Sequence, residues 1–262
     1  MKLEVISHEP KNNLRPTPIV FVHGAWHGAW CWAEYFLPYF AEHGYASHAL
    51  SLRGHGRSEG RERLRWARIA DYVADVAQVA ERLPVPPILV GHSMGGLIVQ
   101  KYLERYPSPA AVLLASVPVR GVLNATLRIA TRHPLLFLKA NLTLSLYPLI
   151  STPGLTRETF FSTDIPGERL QRYFARMQDE SYLAFLDMLC FGLPKPRRVR
   201  IRLLVLGAAD DTIFHPREIE ATARAYDTPA EVFPNIAHDM MLETGWQPVA
   251  NRILGWLKEQ DL

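Results

Sequence analysis

Cysteine is nearly absent from the sequence, with Cys31 and Cys190 as its two examples among 262 residues. Two cysteines cannot build the multi-bridge framework of a small secreted scaffold, and they fit a reducing compartment. No uncharged apolar run reaches the roughly 18 residues that a membrane-spanning helix needs, because the nearest candidate, 134–150, is interrupted by Lys139 and Asn141. The first 13 residues lack the continuous apolar stretch of a signal peptide. We therefore expect a cytoplasmic protein.

The sequence also has little excess charge. Its formal net charge is +3, from 29 basic and 26 acidic residues. A nucleic-acid-binding protein usually gathers a larger excess of Lys and Arg on one element, and the two short basic stretches, 61–68 and 195–202, are typical of solvated surface. The sequence contains no Gly-x-Gly-x-x-Gly or Walker-type loop, and no set of His, Cys and Asp residues with metal-ligand spacing. It thus predicts no nucleic-acid partner, no cofactor and no metal.

Short apolar runs alternate with helix-like stretches along most of the chain. Hydrophobic residues make up 48% of it, which is enough for one large core at this length. The apolar runs predict strands at 18–22, 45–52, 88–90, 110–115, 203–206 and 231–233, and the periodic stretches predict helices at 31–43, 69–83, 97–106 and 246–259. This alternation is typical of a mostly parallel sheet with helices on both faces, so the sequence predicts an α/β fold.

One segment interrupts this alternation, between the fourth and fifth predicted strands. From 118 to 196 no buried strand is evident, and the chain holds Leu-rich, helix-like stretches at 126–138 and 168–189. We interpret 118–196 as a helical cap inserted into a core that is built from 1–117 and 197–262. A separate small helical domain is the alternative.

The residues Gly91-His92-Ser93-Met94-Gly95 match the Gly-x-Ser-x-Gly nucleophile elbow, with a predicted strand before them and a predicted helix after them. This motif needs a sharp turn that presents the serine hydroxyl at the carboxyl edge of the sheet, so the flanking residues must be small. The N–H groups at the start of the next helix face the place where an oxyanion would develop. Ser93 is the candidate nucleophile, and a purely structural turn is the alternative.

A serine hydroxyl needs a general base and a third group that orients the base. In this architecture the partners follow the serine in the order acid, then histidine. His238 lies between the last predicted strand and the last predicted helix, where the base is expected. Asp210 and Asp211 follow the predicted strand at 203–206, and only one of them can point inward; we favour Asp211 as the acid. The other histidines near these loops are predicted to shape them by hydrogen bonding: His23, His27, His55 and His92.

Together these features resemble the α/β-hydrolase superfamily over nearly the whole chain. The string at 23–32 is similar to the first loop of the plant methylesterase and hydroxynitrile lyase group. The turn at 54–60 is similar to one in lysophospholipases and monoacylglycerol lipases, and 238–241 resembles the catalytic histidine segment of small bacterial hydrolases. The resemblance implies an α/β-hydrolase fold with an oxyanion hole formed by the backbone N–H groups of Ala25 and Met94.

The same resemblance implies a serine hydrolase that cleaves a small-molecule carboxylic ester through an acyl-enzyme on Ser93. The apolar residues of 118–196 either line a hydrophobic pocket or pack on the sheet, and Trp26 lies either at the pocket mouth, where it would contact the substrate, or in the core. A hydrophobic acyl ester such as a lysophospholipid or monoacylglycerol is the substrate we expect. Lyase, thioesterase or perhydrolase chemistry on the same scaffold, and a non-catalytic ligand receptor, are the alternatives.

Overall fold

A computed structural model of the protein describes residues 1–12 and 14–262. Its strands are β1 (Val5–His8), β2 (Ile19–Val22), β3 (Ser47–Leu50), β4 (Ile88–His92), β5 (Ala110–Leu114), β6 (Arg202–Ala208) and β7 (Ala230–Phe233). Within the described residues these seven strands form one sheet in the order β1-β3-β2-β4-β5-β6-β7. The first strand is antiparallel to β3, and the other pairs are parallel. The predicted mostly parallel sheet is confirmed, but the polar edge strand β1 has no apolar run and was not predicted.

The helices are α1 (Trp30–Ala33), α2 (Phe36–Glu42), α3 (Ile69–Ala80), α4 (Met94–Tyr102), α5 (Leu123–Arg132), α6 (Pro134–Thr143), α7 (Pro153–Phe160), α8 (Gly167–Phe174), α9 (Tyr182–Leu186), α10 (Pro216–Ala225) and α11 (Trp246–Glu259). The single helix predicted at 31–43 is wrong, because the backbone of Tyr35, with φ −136° and ψ −47°, separates α1 from α2. The helix predicted at 97–106 begins earlier, directly after Ser93. No helix of the described chain is both long enough and apolar enough to cross a membrane.

Two hydrophobic clusters cover the two faces of the sheet. Successive strand residues point to opposite faces, so Phe21 belongs to one cluster and Val20 to the other. The Phe21 cluster includes residues of α1, α2 and α11, and the Val20 cluster includes residues of α3, α4 and α10. Because both faces are covered, the central strands are apolar throughout, which is why their sequence was easy to recognise.

Between β5 and β6 the chain forms α5 to α9, with no strand in this described stretch. The stretch predicted as one helix at 126–138 is two helices, because Pro134 begins a new one at its first position. The stretch at 168–189 is divided among α8, α9 and a short π-helical turn at Asp187–Phe191. Residues 118–196 are called the cap segment below, and its separation from the core as an inserted cap stays a prediction.

Candidate active site

The turn between β4 and α4 holds Ser93 in a strained backbone conformation, with φ 53° and ψ −119°. Positive φ is unfavourable for a residue with a side chain and is typical of functional turns. The turn is also crowded, because a Cβ atom on Gly95 would lie 2.2 Å from the carbonyl oxygen of Val22. A Cβ atom on Gly91 would lie 2.5 Å from the carbonyl oxygen of Gly95. Both glycines of the motif are therefore required by close backbone contacts.

Ser93 lines a cavity of about 600 Å³ between the sheet and the cap segment. This volume lies within the range of small-molecule sites, about 300–1,000 Å³. The core contributes Ala25, Trp26, Met94 and Asp211 to its wall, and the cap segment contributes mainly apolar side chains, among them Ile129, Phe137, Leu146, Ile150 and Met188. The cap segment thus supplies much of an apolar wall facing the candidate nucleophile.

His238 is buried on the loop after β7 and is held by a carboxylate. Its Nδ1 atom lies 2.8 Å from Oδ2 of Asp211, whose Oδ1 accepts the backbone N–H groups of Ile213 at 2.7 Å and Phe214 at 2.9 Å. Since Nδ1–H donates to this carboxylate, Nε2 is the acceptor nitrogen of the neutral ring. Nε2 is buried and has no hydrogen-bond partner among the residues that the structure describes. The side chain of Asp210 is exposed and does not join this pair.

The backbone of Ala25 and Met94 lies at the same cavity as Ser93. Neither N–H group donates a hydrogen bond within the described part of the chain, and Met94 is the first residue of α4, where N–H groups have no partner in the helix. The loop before Ala25 runs close to the serine, because a Cβ atom on Gly24 would lie 3.0 Å from the Cβ atom of Ser93. Two free N–H groups next to a serine can bind a developing oxyanion.

A buried pair that sequence reasoning missed joins these loops. Nε2 of His27 lies 2.9 Å from Oδ2 of Asp239, and Nδ1 of His27 lies 2.7 Å from the carbonyl oxygen of Ala25. Burial by itself lowers the pKa of His27, but the charge of Asp239 and its hydrogen bond together raise that pKa above its usual value. Burial likewise raises the pKa of Asp239, but His27 outweighs it and the pKa is lowered. Because a carbonyl oxygen and a carboxylate oxygen can only accept, this geometry suits a His27 ring that donates from both nitrogens.

The signal for this pair was present in the sequence. Asp239 is the one charged side chain in the otherwise mostly apolar run at 236–242, and a buried charge requires a partner. What the sequence did not indicate was which of several histidines would be that partner. His27 lies 212 positions away from Asp239.

Two more histidines of the predicted set, His92 and His23, bond to the backbone of neighbouring loops, and their role in shaping these loops stays a prediction. Burial, with the nearby charge of His238, lowers the pKa of His92 to about 3, so its neutral Nε2–H donates to the carbonyl oxygen of His238 at 2.9 Å. Burial and the charge of His55 lower the pKa of His23 well below its usual value. Its Nε2 atom accepts the N–H of Leu52 at 3.0 Å, and its Nδ1–H donates to the carbonyl oxygen of Gly24 at 2.8 Å.

Three of these side chains also form a compact group of possible metal ligands. One ligand atom each from His92, His238 and Asp239 lies within 4.8 Å of the others, a grouping that sequence spacing did not reveal. Nδ1 of His238 and Nε2 of His92 are already bonded to protein oxygens, so hydrogen bonding within the protein accounts for much of this clustering. The absence of a metal stays a prediction.

Trp26 lies in the cavity wall and is only partly buried. Its backbone has a positive φ of 65°, and its carbonyl oxygen accepts the N–H of Gln178 at 3.0 Å, which links the loop of Ala25 and Trp26 to the cap segment. The ring packs against Phe160 with centroids 5.6 Å apart, and its Nε1 atom is buried without a hydrogen-bond partner among described residues. The predicted contact of Trp26 with substrate stays a prediction.

A mostly parallel sheet with a serine on the strained turn after β4, and an aspartate and a histidine on the loops after β6 and β7, defines the α/β-hydrolase class. Residues 19–252 match the sequence model of the Alpha/beta hydrolase family, and the chain belongs to this family. The predicted family and fold are thereby confirmed.

Individual relatives differ in how much of the chain they cover. Salicylic acid-binding protein 2 of Nicotiana tabacum is 36% identical over 112 residues, which cover 41% of this chain and 42% of that protein. The chain thus spans about two fifths of that curated relative. The pyrethroid hydrolase of Sphingobium wenxiniae is 27% identical over 210 residues, 75% of this chain and 72% of its own. A solved monoacylglycerol lipase of Paleococcus ferrophilus has a TM-score of 0.73 at 19% identity, covers 99% of this chain and 100% of its own, and shares the fold.

Proposed function

We propose that this chain is a serine hydrolase that cleaves a carboxylic ester of a small molecule. In this proposal Ser93 is the nucleophile, His238 is the general base, and Asp211 orients and stabilises the imidazolium. The observation that carries the proposal is the His238 imidazole, with Nδ1 held by Asp211 at 2.8 Å and with a buried, unpartnered Nε2. Such a ring is prepared to accept a hydroxyl proton.

The reaction proceeds in two halves. Oγ of Ser93 attacks the ester carbonyl carbon while its proton passes to Nε2 of His238, and the N–H groups of Ala25 and Met94 hold the resulting oxyanion. One such donor typically contributes about 3 kcal/mol to the transition state. The carbonyl reforms as the alkoxide leaves with the proton from His238, which gives the free alcohol and an acyl-enzyme on Ser93. Water then repeats the attack and gives its proton to His238, which returns it to Oγ of Ser93 as the carboxylic acid leaves.

The cavity wall supports a hydrophobic acyl ester as the substrate class, for example a monoacylglycerol or a lysophospholipid. Cap-segment side chains such as Ile129, Phe137 and Ile150 give an apolar wall, and the cavity is large enough for a small-molecule acyl group. The charged cap-segment residues of the lining, Arg128, Arg132 and Glu158, are already held in ion pairs. The cap segment acts in this proposal as an inserted helical cap, and Trp26 contacts the bound ester from the core side. No cofactor takes part.

A fluorophosphonate probe and a chromogenic ester series test this function. We expect the probe to label Ser93, a burst of released alcohol in the first turnover, and higher kcat/KM for longer acyl chains until the cavity is filled. Ser93→Ala abolishes labelling and lowers kcat by about 10⁶-fold, as removal of a nucleophilic serine does. Ser7→Ala, at an exposed serine on the edge strand β1, is the matched control and leaves both unchanged.

The alternatives give different outcomes in the same experiments. Labelling of Ser93 without turnover of any ester favours lyase, thioesterase or perhydrolase chemistry on the same residues. Failure of the probe to label the folded chain favours a non-catalytic receptor. Either outcome contradicts the proposed ester hydrolysis.

A further inference from the structure

The consecutive helices α5 and α6 carry large apolar side chains in solvent. Leu135 is 80% exposed and Leu142 is 77% exposed. Three more leucines of these two helices are more than half exposed: Leu123, Leu127 and Leu138. Soluble monomers seldom concentrate exposed apolar side chains in this way, and such a face usually marks an interaction surface. These five residues are called the leucine face below.

The leucine face lies on the side of each helix that points away from the cavity. At 100° per residue, Leu123 and Leu127 lie on one side of α5, and the cavity-lining Ala125 and Ile129 lie on the other. On α6 the exposed leucines likewise lie opposite Phe137 and Ala140, which line the cavity. The two helices are joined through His133 and are in contact. Both therefore lie between the candidate active site and whatever covers the leucine face.

The stretch 105–157, which holds the leucine face, carries side-chain charge of one sign. No Asp or Glu occurs from 105 to 157, whereas this stretch contains six basic residues: Arg105, Arg120, Arg128, Arg132, Lys139 and Arg157. Within this stretch Arg128 and Arg132 form ion pairs with Glu218 and Glu158. Arg120 and Lys139 are exposed and make no ion pair within the described part of the chain. The leucine face is therefore bordered by positive charge that the protein itself leaves uncompensated.

We propose that the leucine face docks on an anionic lipid surface, with its leucines among the acyl chains and with Arg120 and Lys139 at the headgroups. Basic residues beside an exposed aliphatic helix face are the features that hold a helix in a membrane interface. This inference goes beyond the proposed function, because a chain without hydrolytic activity would still bind such a surface. It also places the proposed hydrolysis at a lipid surface, with the cavity of Ser93 on the inner side of the docked helices α5 and α6.

Two other occupants fit the observations less well. A second copy of the chain in a two-fold arrangement would bring the same basic residues of both copies together, which costs energy. A protein partner usually relies on Trp, Tyr or Arg anchors rather than leucine, and the leucine face contains none of the aromatic ones. The aliphatic composition and the two unpaired basic residues, Arg120 and Lys139, favour lipid.

Vesicle flotation with the full-length protein tests the proposal. We expect wild-type protein to bind vesicles of phosphatidylcholine with phosphatidylglycerol, more strongly as the phosphatidylglycerol fraction rises and more weakly at high salt. The double variant Leu135→Ser/Leu142→Ser loses at least about tenfold in partition, since each leucine contributes by burial. Lys139→Glu weakens binding to anionic vesicles and leaves binding to pure phosphatidylcholine unchanged. Leu14→Ser, at a 70% exposed leucine outside the cap segment, is the matched control and binds like wild type.

Three results would overturn the proposal. One is equal partition of wild type and the double variant, and another is equal binding of wild type to neutral and anionic vesicles. The third is a wild-type dimer by light scattering that becomes monomeric in the double variant, which would assign the leucine face to a second copy. Ser93→Ala should float with anionic vesicles as wild type does, so a failure of the proposed chemistry and a failure of docking are distinguished.

Discussion

The two adjacent carboxylates after β6 have different surroundings. Asp211 is buried and accepts hydrogen bonds from His238 and from two backbone N–H groups, whereas the side chain of Asp210 is exposed. Both residues follow the same strand, and sequence alone gave no physical reason to separate them beyond their order. The turn leaving β6 decides which carboxylate points inward.

The substitution Asp211→Asn therefore tests the acid of the proposed triad. An amide at this position donates where the carboxylate accepts, so His238 is held in the wrong tautomer and kcat falls by about 10⁴-fold. Asp210→Asn, with the same chemical change on an exposed neighbour, keeps kcat within a few-fold. Steady-state kinetics on a soluble ester compares the two variants. A larger loss for the Asp210 variant would reverse the assignment.

The buried pair of His27 and Asp239 makes stability depend on pH in a direction that can be worked out. The pKa of His27 is raised in the folded protein, so its stabilising contribution is complete below its unfolded pKa and is lost as pH rises through the folded pKa. The pKa of Asp239 is lowered in the folded protein, so its contribution is present above its unfolded pKa and is lost as pH falls through the folded pKa. The pair stabilises most at the pH values between those two losses.

We expect Asp239→Asn to lower the free energy of unfolding most strongly at about pH 4–6, between the unfolded pKa values of Asp and His. Burial keeps His27 of the folded variant neutral there, while the unfolded chain binds a proton at this residue. Above the unfolded pKa of histidine, about 6.5, the difference between wild type and variant narrows as pH rises, by at most about 1.4 kcal/mol per pH unit. Denaturant unfolding of wild type and Asp239→Asn at several pH values measures this difference in the free energy of unfolding. The exposed Asp227→Asn is the control. A difference that is constant from pH 6 to 9 would contradict an ionised pair.

At the scale of elements, the packing of α4 against β2 depends on a glycine. The absent side chain of Gly95 lets the helix approach the strand, since a Cβ atom there would lie 2.2 Å from the carbonyl oxygen of Val22 and 2.6 Å from that of His23. Both are backbone atoms of the segment that leads into the loop of Ala25, so they cannot move aside as a side chain would. An added methyl group must displace either the helix or this loop.

The substitution Gly95→Ala should lower the free energy of unfolding by about 1–3 kcal/mol, the usual cost of overpacking, and should also impair the site beside it. Gly167→Ala is the matched control, because nothing lies within 4 Å of its Cβ position at the start of α8. That variant should be neutral or more stable by up to about 1 kcal/mol. Denaturant unfolding measures the free energy of unfolding of both variants. An equal decrease in the two would contradict a destabilisation caused by close packing at Gly95.

Element boundaries show where local sequence was insufficient. The periodic pattern at 31–43 continued through Tyr35, yet the backbone bends there and gives two helices, α1 and α2. Trp32 and Phe36 pack against Phe21 of β2 from either side of this bend. Contacts with a strand that is distant along the chain thus override a helical pattern.

At the scale of the whole molecule, a buried polar cluster ties the cap segment to the core. Glu180, between α8 and α9, accepts the hydroxyl of Tyr72 on α3 at 2.7 Å and lies 3.0 Å from Nε2 of His55. All three side chains are fully buried. Burial and the charge of Glu180 raise the pKa of Tyr72 well above its usual value, so the phenol stays protonated and donates.

Tyr72→Phe removes one donor from a buried carboxylate, which costs about 1–3 kcal/mol. We expect faster amide hydrogen exchange at 178–187, because the lost bond holds this part of the cap segment to the core. Tyr226→Phe is the matched control. The Tyr226 hydroxyl, at the end of α10, donates to Gln100 of α4 at 2.9 Å, so this bond lies within the core. This variant should lose stability without faster exchange at 178–187. Equal exchange in both variants would show that the cluster does not anchor the cap segment.

The sequence by itself determined the central strands, the serine turn and the order of the candidate acid and base. It could do so because strands buried on both faces must be apolar throughout, and because a strained turn at Ser93 admits only small neighbours such as Gly91 and Gly95. Both constraints act on residues that are neighbours in the chain, so they are visible as short patterns in the sequence.

Only the tertiary structure decided which side chains pair across loops. The partners of Asp239 and of Glu180, the inward carboxylate of the Asp210–Asp211 pair and the solvent-facing side of α5 and α6 all depend on contacts between segments far apart in the chain. A buried charge requires a partner of suitable chemistry, but several histidines satisfied that requirement equally in the sequence. The fold selects one because it alone sets the distances between them.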